Sequence, residues 1–113
     1  MPVRDRKDLF PGALEMMVLQ ILQQQPMHGY ALVQQIQRRS KDLLQIEEGS
    51  LYPALQRMLK DGRVRARWSV SASGRRVRIY EVTAAGARHL DREILSFEQL
   101  LEGIRLVLAP VKP

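Results

Sequence analysis

EGSLYPALQRMLKDG, residues 48–62, has the spacing of a single amphipathic helix. At about 100° per residue, Leu51, Leu55, Met58 and Leu59 share one face, and Gly49, Ser50, Pro53, Gln56, Arg57 and Lys60 fall opposite. That outer face begins with small residues and ends basic, with Asp61 as its only acid. A backbone can approach a surface closely at Gly49 and Ser50, while Gln56, Arg57 and Lys60 reach outward. Such a helix suits a DNA major groove, which is wide enough to admit one. Most amphipathic helices are surface helices with a solvated face, so the flanking stretches decide. The helix start has two readings. With Ser50 as N-cap, Pro53 falls in the first turn and costs little; with an earlier start, Pro53 imposes a local bend. Gly62 ends the helix.

Immediately after it the period changes. Arg63–Val70 alternates strictly, with Val64, Ala66, Trp68 and Val70 facing one way and Arg63, Arg65, Arg67 and Ser69 the other. Ser71–Gly74 is a turn. A second strand from Arg75 or Arg76 to Val82 completes a hairpin, with Tyr80 and Val82 inward. Arg75 and Arg76 stand at its tip and Arg78 just behind. Eight basic residues lie between Arg57 and Arg78 (Arg57, Lys60, Arg63, Arg65, Arg67, Arg75, Arg76, Arg78) against the single acid Asp61. Like charges at neighbouring strand positions repel, and a bound polyanion would remove that repulsion.

On the N-terminal side, residues 1–8 read as a loose arm carrying Arg4, Arg6 and Lys7. A first helix is expected from near Pro11 to about Gln24, its apolar residues Leu14, Met17, Val18, Ile21 and Leu22 at helical spacing. Ala13, Met16 and Leu19 widen the stripe, so this helix should be covered on more than one side. Pro26 stops it. A second helix should run from Gly29 to Arg39 with Tyr30, Val33 and Ile36 inward and Leu32 alongside. His28 reads as a turn or helix-start residue. Leu43, Leu44 and Ile46 should anchor the connection that follows. Three helices and a hairpin, the third helix and the hairpin tip basic, form the winged helix-turn-helix arrangement, in which the third helix enters the groove and the wing lies along the backbone.

Beyond Thr83, a helix from Ala84 to Leu108 carries Ala87, Leu90, Ile94, Phe97, Leu101, Ile104 and Leu108 at alternating steps of three and four, a heptad seam. About 25 residues at ~1.5 Å each make ~37 Å, too long for this chain to cover alone. A second copy is the simplest cover for Leu90, Ile94, Phe97, Leu101, Ile104 and Leu108; the chain's own first helix is the other, and both can hold. The expected division is 1–83 for DNA binding and 84–113 for dimerisation. Phe97 with Met16 and Met17 forms a candidate pocket for a small hydrophobic effector, with a filled dimer core as the alternative.

The totals agree. The chain has 113 residues, net charge +6 and no cysteine, which excludes disulfides and thiolate chemistry. Residues 1–83 hold fourteen Lys and Arg against eight Asp and Glu, and residues 84–113 four of each. A basic region beside a neutral one suits a polyanion-binding part joined to a part with another job. No apolar run is long enough to span a membrane, and MPVRDRKDLF lacks a signal peptide's apolar segment, so a cytoplasmic protein is expected. His28 and His89 belong to different elements, with no metal-like spacing. No phosphate-binding glycine loop is present. Neither an enzyme nor a bound cofactor or metal is expected.

HGYALVQQI, EGSLYPALQRMLKDGRV and SGRRVRIYEVTAAGARHL resemble the PadR family of transcriptional regulators, over about residues 9–92. The resemblance implies a winged helix-turn-helix with a C-terminal dimerisation helix, in the family's short branch. It also implies a bacterial or archaeal repressor, often of detoxification or efflux genes. One departure is Arg78-Ile79-Tyr80, where many members carry Lys-Tyr-Tyr. The expected fold class is therefore mainly α with a two-stranded β wing. The expected function is a homodimeric, sequence-specific repressor binding double-stranded DNA. Gln56, Arg57 and Lys60 are candidates for base edges, Ser50 and Tyr52 for phosphates, and Arg75, Arg76 and Arg78 for backbone or minor-groove contact. A winged-helix adaptor that binds protein in place of DNA is the alternative.

Overall fold

A computed structural model describes residues 12–111. The elements are α1 (Ala13–Gln24), β1 (Met27–His28), α2 (Gly29–Arg39), α3 (Glu48–Lys60), β2 (Val64–Val70), β3 (Arg76–Val82) and α4 (Ala84–Leu108). The arm at residues 1–8 and the helix start at Pro11 lie outside the described residues.

One core gathers residues from every helix. Val18, Leu19, Ile21 and Leu22 of α1 are buried with Leu32 and Ile36 of α2, Leu51, Ala54, Leu55 and Met58 of α3, and Leu90 of α4. The breadth of α1's apolar surface is explained by its neighbours, since it packs against α2, α3, α4 and β3 together. Along α3 the expected inner face is occupied, with Ala54 fully buried beside it and Leu59 only partly so. On α2, Leu32 and Ile36 set the inner face. Tyr30, expected inward, is 53% exposed, because two residues' separation from Leu32 turns it about 200° around the helix. In the connection to α3, Ile46 is buried and Leu44 packs on the core, whereas Leu43 is exposed.

The sheet has three strands in the order β1-β3-β2, all antiparallel. The hairpin was expected as a two-stranded wing; β1 adds a short third strand, pairing Met27 with Tyr80 and His28 with Ile79. Two residues are too few to show any alternation. The β2–β3 register runs from Val64↔Val82 to Val70↔Arg76. Val64 and Tyr80 at its base are buried, and Trp68 and Val70 further out are exposed, so the hairpin leaves the core as it lengthens.

Two junctions fix the orientation of α3. Its N-cap is Glu47, whose carbonyl accepts from Ser50 N–H at 3.0 Å and Leu51 N–H at 3.1 Å. The Ser50 cap is thereby excluded and Pro53 lies inside the helix. Its far end closes with Gly62 at φ 73, Gly62 N–H donating to the Leu59 carbonyl at 3.1 Å and Arg63 N–H to that of Met58 at 2.9 Å, the crossed pair of a glycine-terminated helix. The start of α4 is clamped to this same turn. Thr83 Oγ1 accepts from Gly86 N–H at 3.0 Å and donates to the Gly62 carbonyl at 2.6 Å. Thr83 N–H donates to the Arg63 carbonyl at 3.0 Å. A Cβ on Gly86 would stand 2.0 Å from that carbonyl oxygen, so only glycine allows the approach.

From there α4 runs outward, and the described chain is 65 Å along its longest axis. Leu90 is in the core and Ile94 packs on it. Leu101 and Ile104 are half-buried, and Leu106, Val107 and Leu108 are exposed. The first turns of α4 thus share the core of the preceding residues, with no structural boundary at residue 83. Among the described residues, no helix is long and apolar enough to cross a membrane.

Candidate nucleic-acid interface

Gly49, Pro53, Gln56 and Lys60 line the uncovered face of α3, all exposed. Tyr52 lies on one flank and Arg57 on the other, about 140° apart around the helix. The Tyr52 flank looks across a groove of about 780 Å³ towards the wing; Glu48 and Tyr52 help form one side, and Trp68, Arg75, Arg76 and Arg78 the other. The structure therefore brings together four of the expected contact residues, Tyr52, Arg75, Arg76 and Arg78. Gln56 and Lys60 lie further along α3, outside this groove. Ser50 is half-buried.

The Arg57 flank is different. Arg57 Nε is 3.2 Å from Glu15 Oε1 of α1, and Arg63 Nη1 is 3.9 Å from the other oxygen of that carboxylate and 3.6 Å from Asp61. On the outer face of the hairpin, Glu81 takes Arg67 at 2.9 Å and Arg65 at 3.6 Å. The hydrogen bond from Arg67, with the charges of Arg65 and Arg67 beside it, holds the Glu81 carboxyl below its ordinary range against the opposing effect of burial. Between Arg57 and Arg78 the sequence holds eight cations and one acid, but not all eight need a polyanion to relieve their repulsion. Glu15, 42 residues before Arg57, and Glu81, three residues after Arg78, pair with four of the eight. Among the described residues, Lys60, Arg75, Arg76 and Arg78 make no ion pair with an acidic side chain.

The HGY turn builds the groove's floor. His28 Nδ1 accepts from Ala31 N–H at 3.3 Å and so caps α2, the helix-start role expected of it. Gly29 is buried, and a Cβ there would stand 3.0 Å from Tyr52 Cε1 and Oη, so its bare backbone lets Tyr52 lie across the start of α2. Burial pushes the Tyr52 phenol up, with the Glu48 charge and Tyr80 adding to it. Burial likewise raises Tyr80, partly offset by the Arg78 charge. Tyr52 thus keeps its proton near neutral pH and can donate a hydrogen bond to a phosphate oxygen.

A family model, the transcriptional regulator PadR-like family, matches residues 18–92, which is more than half of the chain. The chain belongs to the PadR-like family. Members are transcriptional regulators, not enzymes. Among solved structures, a PadR family regulator from Eggerthella lenta is 29% identical, with TM-score 0.77 over 88% of this chain and 85% of that one. A transcriptional regulator from Clostridium thermocellum superposes with TM-score 0.80 at 21% identity, over 87% of this chain and 92% of that one. The Bacillus subtilis PadR solved in complex with operator DNA shares the fold at TM-score 0.66 and 17% identity, over 73% of this chain and 46% of that one.

Two further regions of this PadR-like chain matter. Met16, Met17 and Phe97, grouped from the sequence, line one cavity of about 480 Å³ between α1, α2 and α4, with Ile36, Ile94 and others. Along the tail, Leu90 is 1% exposed, so this expected dimer contact is a core residue of its own protomer with no surface left for a partner. Ile94, Phe97, Leu101 and Ile104 keep part of their surface and Leu108 most of it. Sequence reasoning missed Tyr30 and Trp68 as exposed groove residues and missed Glu15 and Glu81 as partners. An isolated aromatic at a helix start carries no signal, and a contact spanning 42 residues, as between Glu15 and Arg57, has no local signature. Among the described residues, no three His, Asp or Glu side chains gather as a metal ion would require.

Proposed function

We propose that this PadR-like chain is a homodimeric repressor that reads DNA with α3 and grips its backbone with the wing. The observation that carries this reading is the groove between Tyr52 and the wing arginines, whose cations lack acidic partners among the described residues. Gln56 and Lys60 on the open face of α3 are assigned to base edges, with Arg57 beside them once it leaves Glu15. Ser50 and Tyr52 are assigned to phosphates, and Arg75, Arg76 and Arg78 to backbone or minor groove. Residues 1–83 would bind DNA, and 84–113 would join two copies through Ile94, Phe97, Leu101, Ile104 and Leu108. Two α3 helices would then enter grooves one turn, ~34 Å, apart. The operator complex of the Bacillus subtilis relative supports the general mode.

Selection of duplexes from a random pool tests this reading and reports half-site spacing. Arg75→Ala with Arg76→Ala should weaken all sequences and flatten the salt dependence, by about 0.9 in slope for each phosphate no longer neutralised. Gln56→Ala should change sequence preference. Equal, sequence-independent weakening by both variants would contradict these roles.

The cavity at Met16, Met17 and Phe97 is assigned to a small hydrophobic effector that alters the separation of the two α3 helices. Its methionines adapt readily to varied apolar shapes. A thermal-shift series with planar hydrophobic compounds should give stabilisation that Phe97→Ala abolishes. No stabilisation by any compound would count against the assignment.

A further inference from the structure

Trp68 is the only tryptophan of the chain, and it sits where the core does not need it. It is 59% exposed on β2, well out along the wing. Its cross-strand partner is Arg78, and Arg76 pairs with Val70, so both arginines share the face of Trp68 at alternate positions of β3. The guanidinium carbon of Arg76 stands 4.6 Å from the ring centroid and that of Arg78 5.8 Å. Both distances fall within the roughly 6 Å reach of a cation–π attraction.

Two like charges at alternate positions of one strand repel, and each ends a long side chain with many rotamers. Neither has an acidic partner among the described residues to hold it. The ring supplies what a carboxylate supplies to Arg65 and Arg67 on the opposite face. It attracts both guanidinium groups without neutralising either, so they stay available to an anion. A carboxylate in the same place would compete with phosphate; an aromatic face does so far less.

We infer that Trp68 is a positioning residue of the wing, its ring holding Arg76 and Arg78 side by side as a preformed pair of cations for the phosphates of a duplex. The inference rests on the DNA-binding reading above. It adds that the wing's grip depends on an uncharged side chain that needs no contact with DNA itself.

Trp68 emission tests the stack without DNA. Arg76→Gln with Arg78→Gln should raise acrylamide quenching of Trp68, and unchanged quenching overturns the stack. The second arm uses a mixed-sequence duplex. Trp68→Ala should weaken binding roughly fivefold with the wild-type salt slope, because the same cations still meet phosphates. Trp68→Phe, which keeps a ring, should recover most of the affinity. In the Arg76→Gln, Arg78→Gln background, Trp68→Ala should have no further effect. A cost that persists in that background, or no cost in the parent, overturns the inference. So does a weakening that follows the thermal midpoint and is not rescued by phenylalanine. Failure of the wild type to bind any duplex at low salt removes the DNA-binding reading itself, and this inference with it.

Discussion

Single carboxylates decide which cations between Arg57 and Arg78 have an acidic partner among the described residues. Glu15 engages Arg57 and Arg63 from α1 and so keeps one of the base-reading candidates turned towards the protein. Glu15→Gln should release it. The expected outcome is about a twofold to fivefold gain in affinity for a selected duplex, the equivalent of one exposed ion pair, with little change in thermal midpoint. Anisotropy titration decides it; equal or weaker binding would mean that Glu15 orients Arg57 for DNA. Much at this scale was legible beforehand. Gln56, Lys60, Arg75 and Arg76 could be read as outward from periodicity and position alone. The reason for Gly29 could not, because it lies in the ring of Tyr52, a residue of another helix.

At the scale of elements, the wing is held by charge on one face and by a ring on the other. The Arg65–Glu81–Arg67 ladder gives a pH signature. Glu81 has a carboxyl held below its ordinary range in the folded chain, so its contribution is fully present above the unfolded-state range and is lost as pH falls through the folded value. The difference in thermal midpoint between wild type and Glu81→Gln should therefore be constant near neutrality and shrink as the solution becomes acidic. A difference independent of pH would show that the pair matters by shape alone. All four helices and the hairpin could be recognised from their spacing, and the starts of α2 and α4 and the end of α3 fall where His28, Thr83 and Gly62 close them. β1 could not, since its two residues acquire their conformation only by pairing with Tyr80 and Ile79. Nor could the start of α3, where a proline inside the helix masks the boundary at Glu47.

At the scale of the whole molecule, the outer half of α4 leaves Leu100, Leu106, Val107 and Leu108 exposed, and Leu100, Ile104, Val107 and Leu108 line one apolar groove along it. Ile104→Glu with Leu108→Glu should yield a folded monomer by sedimentation, with helix content kept and affinity for a two-half-site duplex lowered at least tenfold. A variant that stays dimeric would place the subunit contact elsewhere. The heptad spacing announced this surface, but the fate of Leu90 needed the fold, since an unbroken pattern hides the point at which α4 leaves its own core. The clamp of Thr83 and Gly86 on the Gly62–Arg63 turn has a mechanical corollary. A joint held this way would let α4 and α3 move as one lever in the proposed dimer. A tilt of about 10° over a ~37 Å arm carries its far end through roughly 6 Å, nearly two base-pair steps. On the proposed reading, new operator spacings would arise by remodelling the shaft while the tip assigned to the bases stays as it is.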